Sequence, residues 1–101
     1  MPVLEPTTIP TTDTDIDFDQ LAARFPDYVV LLWNDPVTPM EIVVYALQQS
    51  IPGMKNEDAV SHMIEAHTTG KSAVARCKIE EAELYRDRLT GFKLTASIEE
   101  A

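Results

Sequence analysis

A chain of 101 residues with 45% apolar side chains can bury one modest core and no more. Its 8 Lys and Arg against 17 Asp and Glu give a formal charge of −9, which disfavours nucleic acid and anionic membrane and favours a basic protein or an amine-bearing ligand. The single cysteine, Cys77, excludes an internal disulfide framework and suits a reducing compartment.

The opening stretch, MPVLEPTTIPTTDTD, has neither the basic region nor the apolar centre of a secretory signal. No apolar run approaches the ~20 residues of a membrane span, so a cytoplasmic location is expected. Residues 1–25 hold three of the seven prolines, a Thr-rich run, and Glu5, Asp13, Asp15, Asp17 and Asp19 against Arg24. Such a segment buries too little apolar surface to offset its ordering entropy and is expected to be a disordered acidic extension. Its one apolar patch, Ile16 to Leu21, is suited to a short docking helix or strand.

Residues 26–101 carry the folding signals. YVVLLW (Tyr28 to Trp33) is β-branched and aromatic between turn formers and reads as a buried strand. Thr38-Pro39-Met40-Glu41 has the pattern of a capping box with proline at the first helical position, starting a helix to about Gln49. Ile42, Val43, Ala46 and Leu47 form its apolar stripe. After Pro52-Gly53, Asn56 is placed to cap a second helix, with Glu57 and Asp58 in its first turn and Gly70 as its stop. Ser72 to Cys77 reads as a strand. Glu80 to Thr90 reads as a charged third helix closed by Gly91, and Leu94 to Ile98 as a last strand. The order β-α-α-β-α-β implies an α+β sandwich, with helices packed on a mostly antiparallel three-stranded sheet.

Enzyme chemistry finds little support. Cys77 lies mid-strand with no nearby group to activate it. His62 and His67 stand about 140° apart around a helix and do not share one ion easily. Glu80, Glu81 and Glu83 fit a solvated helix face, and no phosphate-cradling glycine loop is present. No cofactor and no metal are expected. What remains is the junction WNDPVTPME. If the two following helices pack side by side, Met40 and Met63 line an apolar slot with Asn34 and His67 at its rim, suited to a ligand with an apolar body and a polar head. Ordinary core methionines, a histidine paired with a helix end and a plain Asn-Asp turn account for the same residues.

LLWNDPVTPMEIVVYALQ, DAVSHMIEAHTTGKSAV, IEEAE and GFKLTASIEE, taken together, resemble the ClpS family of adaptor proteins over about residues 27–101. The blocks NDxxTPMExV and MxxxHxxGK carry the resemblance. It implies a fold like the C-terminal domain of the ribosomal stalk protein and a non-enzymatic role. Such an adaptor binds proteins beginning with a bulky apolar residue, the N-end-rule degrons, and delivers them to a ClpA- or ClpC-type AAA+ unfoldase with its ClpP peptidase.

Residue by residue, the resemblance implies that Asn34 and His67 hydrogen-bond the ligand's α-amino group and that Asp35 adds negative potential. Leu32, Thr38, Met40, Val43, Met63, Ala66 and Leu94 would line the side-chain pocket, with Met40 as a gate against β-branched residues. Glu80 and Tyr85 fall on the surface that docks on the unfoldase's N-terminal domain. Three positions depart from the family pattern: Pro36 replaces a second acid, Tyr85 a lysine, and Ala66 a larger aliphatic residue. They point to a divergent branch, of which cyanobacterial and plastid examples exist, and a plastid origin would place the protein in the stroma. They also keep a second expectation open, a regulator that docks on the unfoldase with weak or altered degron binding.

Overall fold

The six residues Tyr28–Trp33 form strand β1, as expected of β-branched and aromatic side chains in sequence. The computed structural model describes residues 17–101. In it, β1 is the middle of a three-stranded sheet, flanked by β2 (Lys71–Cys77) and β3 (Ala96–Glu100). Both neighbours run antiparallel to it. Leu32 lies opposite Ser72 and Ala96, and Val30 opposite Ala75 and Ile98. A shift of register between Val30 and Leu31 leaves Val74 without a partner on β1, and its side chain is buried in the core.

Helices α3 (Asn56–Thr69) and α4 (Ile79–Gly91) pack on this sheet, and α2 (Met40–Ser50) packs on both of them. A short helix, α1 (Phe18–Ala22), precedes β1. The buried residues of α2, Val43, Ala46, Leu47 and Ser50, follow helical spacing. Val43, Ala46 and Leu47 join Val30, Leu32, Leu89 and Leu94 in the apolar core. Leu32, Leu47 and Leu89 are among its largest fully buried side chains, each worth about 1.5–3 kcal/mol of transfer free energy. At the start of β1, Asp27 pairs with Arg76 Nε at 3.2 Å and Lys78 Nζ at 2.9 Å. Those two cations hold its carboxyl below the usual carboxylate range.

The expected α+β sandwich is present, with several local differences. α2 begins one residue later than a cap at Thr38 requires: Pro39 is the N-cap, and its carbonyl accepts from Ile42 and Val43. Thr38 is part of the preceding turn instead, its amide and hydroxyl both donating to the Asp35 carboxylate, the hydroxyl to Oδ2 at 2.6 Å. Ile42 falls off the buried stripe and is 43% exposed. Asn56 is the first residue of α3, not its cap, and its amide donates to Gln48 Oε1 at 3.3 Å. α4 includes Gly91, and the left-handed residue beyond it is Lys93, at φ 68°. Leu94 is therefore a buried turn residue, its amide bonded to Leu89 O, and β3 starts only at Ala96.

The expectation of disorder through residue 25 overlaps α1. Asp17 Oδ1 caps that helix by accepting from the amides of Asp19 at 3.0 Å and Gln20 at 3.3 Å. The rest of that expectation, residues 1–16, lies outside the described residues.

Candidate functional site

A cavity of about 120 Å³ opens where β1 hands over to α2. Its floor is apolar: Leu32 from β1, Val43 from α2, Ala66 from α3 and Leu94 from the α4–β3 turn are each no more than 8% exposed. Met40 and Met63 add walls from α2 and α3, and Met40 is half exposed. The volume approaches the roughly 150 Å³ of cavities that accept a benzene ring.

The rim is polar, and local backbone chemistry builds it. Gly70 takes φ 99° to end α3 just after His67, a conformation that favours glycine. The Gly70 carbonyl accepts from Asn34 N at 2.9 Å, which ties the loop after β1 to the end of α3. Asn34 and His67, from distant parts of the sequence, thus border one opening. Both are exposed.

Asp35 organises the loop between them. Its Oδ1 accepts from Val37 N at 2.8 Å and Thr38 N at 3.3 Å, and its Oδ2 from Thr38 Oγ1 at 2.6 Å. The Thr38 hydroxyl foremost, then the Val37 and Thr38 amides, hold its carboxyl below the usual carboxylate range. An anion is therefore fixed at the rim, with both oxygens engaged by its own loop. The arrangement can take an apolar group of aromatic or leucine size on the floor and a positively charged donor at the rim.

Asn34, Asp35, His67, Leu32, Thr38, Met40, Val43, Met63, Ala66 and Leu94, singled out from the sequence, all border this cavity. Two further residues border it. Pro36 is one of the three departures that the resemblance leads us to expect. Trp33 carries no such signal: its indole donates to Ser97 Oγ at 2.8 Å and has Lys71 Nζ 5.3 Å from the ring centre. Glu80 and Tyr85 lie on α4 and border it nowhere. Glu80 instead flanks a second hollow of about 490 Å³ with Phe18, Phe25, Tyr28 and Ile79, whereas Tyr85 is half buried against the core. Burial, then Glu81, push the Tyr85 hydroxyl above its ordinary value.

The family model for ClpS, the ATP-dependent Clp protease adaptor protein, matches residues 23–97. The chain belongs to the ClpS family. Among ClpS relatives, the adapter protein of Synechococcus sp. (strain CC9902) is 46% identical over 81 residues, covering 80% of this chain and 78% of that protein. The chloroplastic ClpS adapter CLPS1 of Arabidopsis thaliana is 37% identical over 98 residues, covering 97% of this chain and 61% of that one. A solved structure, Agrobacterium tumefaciens ClpS2 bound to L-phenylalaninamide, superposes with a TM-score of 0.70 at 29% identity, covering 75% of this chain and 98% of that one. These relatives are named as adaptors of a protease, not as enzymes.

Other reactive groups stand apart from this cavity. Cys77 is half buried, and burial, then Glu81 and Asp27, push its thiol above the ordinary value, away from a nucleophilic thiolate. No helix among the described residues is long and apolar enough to cross a membrane.

Proposed function

We propose that the cavity holds the free amino terminus of a protein whose first residue is bulky and apolar, and that the chain hands this N-degron to a ClpA- or ClpC-type AAA+ unfoldase. The observation that carries the reading is an apolar floor of aromatic size beneath a rim bearing Asn34, His67 and the fixed anion of Asp35. L-phenylalaninamide, the ligand of the ClpS2 structure, has a benzyl group, a free α-amine and an amide where a peptide would continue. It is chemically an amino-terminal phenylalanine. In the proposed complex the side chain fills the floor. The ammonium donates to Asn34 Oδ1 and to the unprotonated nitrogen of a neutral His67.

Titration of peptides beginning with Phe, Leu, Tyr or Trp, followed by fluorescence polarisation, tests this directly. Binding of the free peptides and none of their N-acetylated forms is expected, because acetylation removes the ammonium and adds bulk. Equal binding of both forms would refute it.

A second reading, a regulator that docks on the unfoldase with weak degron binding, is favoured by one observation. Three acceptor positions of Asp35 are already taken by its own loop and Pro36 offers no other carboxylate, so the rim has little anionic capacity left to grip an ammonium. Docking on the isolated amino-terminal domain of the unfoldase without measurable peptide affinity would select this reading.

A further inference from the structure

Helix α3 has few apolar anchors. Of its 14 residues only Ala59 and Ala66 are buried, and a methyl group makes few contacts that resist rolling or sliding. Yet α3 supplies Met63, Ala66 and His67 to the cavity, so its rotation sets where they stand. At a side-chain radius of about 5–6 Å, a 10° roll moves a side chain by about 1 Å. A binding site tolerates about 0.5 Å.

The restraint on that roll is polar. Ser72, on β2 opposite Leu32, is 1% exposed. Its hydroxyl donates to Glu65 Oε1 at 2.5 Å and lies 2.9 Å from His62 Nδ1. A hydroxyl has one proton, and here the carboxylate takes it. Nδ1 must therefore carry the proton that completes the chain His62 to Ser72 to Glu65. His62 and Glu65 are three residues apart on one helix face, so the two bonds grip α3 from two successive turns through a single buried oxygen. Met63 directly follows one gripping residue and Ala66 the other.

Resting on the reading of the cavity as an amino-terminus site, we propose that Ser72, Glu65 and His62 are positioning residues, which lock the rotation of α3 and so place Met63 and His67 for the ligand. None of the three borders the cavity. The lock uses directional hydrogen bonds where the apolar contact is too smooth to fix a register.

The test compares Glu65→Ala, Glu65→Gln and Ser72→Ala with the wild type. Affinity is measured for a labelled peptide beginning with free Phe, and the Met63 methyl resonance is recorded without peptide. Glu65 is exposed, so neither of its variants threatens the core. Both alanine variants should bind about fivefold more weakly or worse, a change on the scale of one lost hydrogen bond, and should shift or broaden the Met63 signal. Glu65→Gln loses the same charge as Glu65→Ala but keeps an oxygen that accepts the Ser72 proton. It should stay within about twofold of wild type with Met63 unmoved. Alanine variants with wild-type affinity and an unmoved Met63 signal would overturn the lock. So would a glutamine variant as impaired as the alanine one, since charge and not the bond would then be responsible. If the wild type binds no free amino terminus, the adaptor reading alone fails, and the Met63 signal still decides for or against the lock.

Discussion

Replacing Pro36 with aspartate puts a new carboxylate on the polar rim of the cavity. At present both oxygens of Asp35 are engaged by Val37 and Thr38. An ammonium between Asn34 and His67 therefore meets only neutral acceptors, and a carboxylate at position 36 adds one more charge-assisted hydrogen bond, worth about 1.5–3 kcal/mol. Position 36 is exposed, and solvent screening brings the gain to the low end, about 1.5 kcal/mol. Opposing it is the lost stiffness of proline, about 0.4–1 kcal/mol. No loop hydrogen bond is at stake, because the amides that Asp35 accepts from belong to Val37 and Thr38. The net is about 0.5–1 kcal/mol, a roughly two- to fivefold tightening. Fluorescence polarisation with a Phe-initiated peptide should show it, the gain should shrink with added salt, and the order of preference among Phe, Leu, Tyr and Trp should not change. An affinity that stays the same or falls would refute the reasoning and strengthen the regulator reading, as would equal tightening for an N-acetylated peptide.

Asn34→Ala and His67→Ala, which remove one rim acceptor each, should each weaken peptide binding by about tenfold or more in the same assay, the scale of one charge-assisted hydrogen bond, while leaving the thermal midpoint near that of wild type. Ala66→Val narrows a floor residue that is 4% exposed; it should disfavour Trp- and Tyr-initiated peptides relative to Leu and Phe by about 1–3 kcal/mol, and an unchanged ranking would place residue 66 out of ligand contact. For Asp27, a carboxyl held below its ordinary 3.8 stabilises the fold above that value and stops doing so as pH falls through the depressed one. The gap in thermal midpoint between wild type and Asp27→Asn should thus hold from pH 7 to 5 and close only below 3.8. Peptide binding should fade above about pH 8 as the ligand's own amine loses its proton, and a profile flat to pH 9 would argue against an ammonium ligand. Iodoacetamide should modify Cys77 slowly at pH 8, given its raised thiol.

The sheet and the three larger helices were legible because each rests on a strong local signal: the YVVLLW run, proline and glycine punctuation, and helical spacing in α2. Of the residues around the cavity, Asn34, Met40, Met63 and His67 followed from those elements, whereas Leu32, Thr38, Val43, Ala66, Leu94 and the role of Asp35 came only with the resemblance to the ClpS family. The failures share a cause, competition for a side chain. Thr38 and Glu41 have the spacing of a capping box, but Asp35 stands three residues before Thr38 and takes its hydroxyl. The Asp-Pro-Val-Thr run is itself a turn signal, and that turn moves the cap to Pro39 and the first helical residue to Met40. α1 falls in the apolar patch Ile16 to Leu21 that suits a short helix, but composition set it inside a disordered tail: the acids that suggested that tail include Asp17, which caps the helix. Leu94 read as a strand residue because periodicity does not reveal a left-handed Lys93. The Ser72 chain was invisible, since a bond between α3 and β2 exists only once the sheet has formed.

The two ends of the cavity rest on different physics, which determines how each can change. Its floor is part of the core: Leu32, Val43, Ala66 and Leu94 belong to the same buried cluster as Leu47 and Leu89. A substitution there alters ligand fit and fold stability together, with about 2–5 kcal/mol lost for a leucine cut to alanine. The rim is a surface loop held by its own hydrogen bonds, through Asp35 on one side and the Gly70 carbonyl on the other. A substitution at Pro36 or Asn34 leaves the core packing alone. On the proposed reading, affinity for the ammonium can therefore change at little cost to folding, whereas the choice of side chain is constrained by the core it shares. That asymmetry explains how Pro36 can stand at the rim in a chain whose fold and apolar floor are otherwise intact.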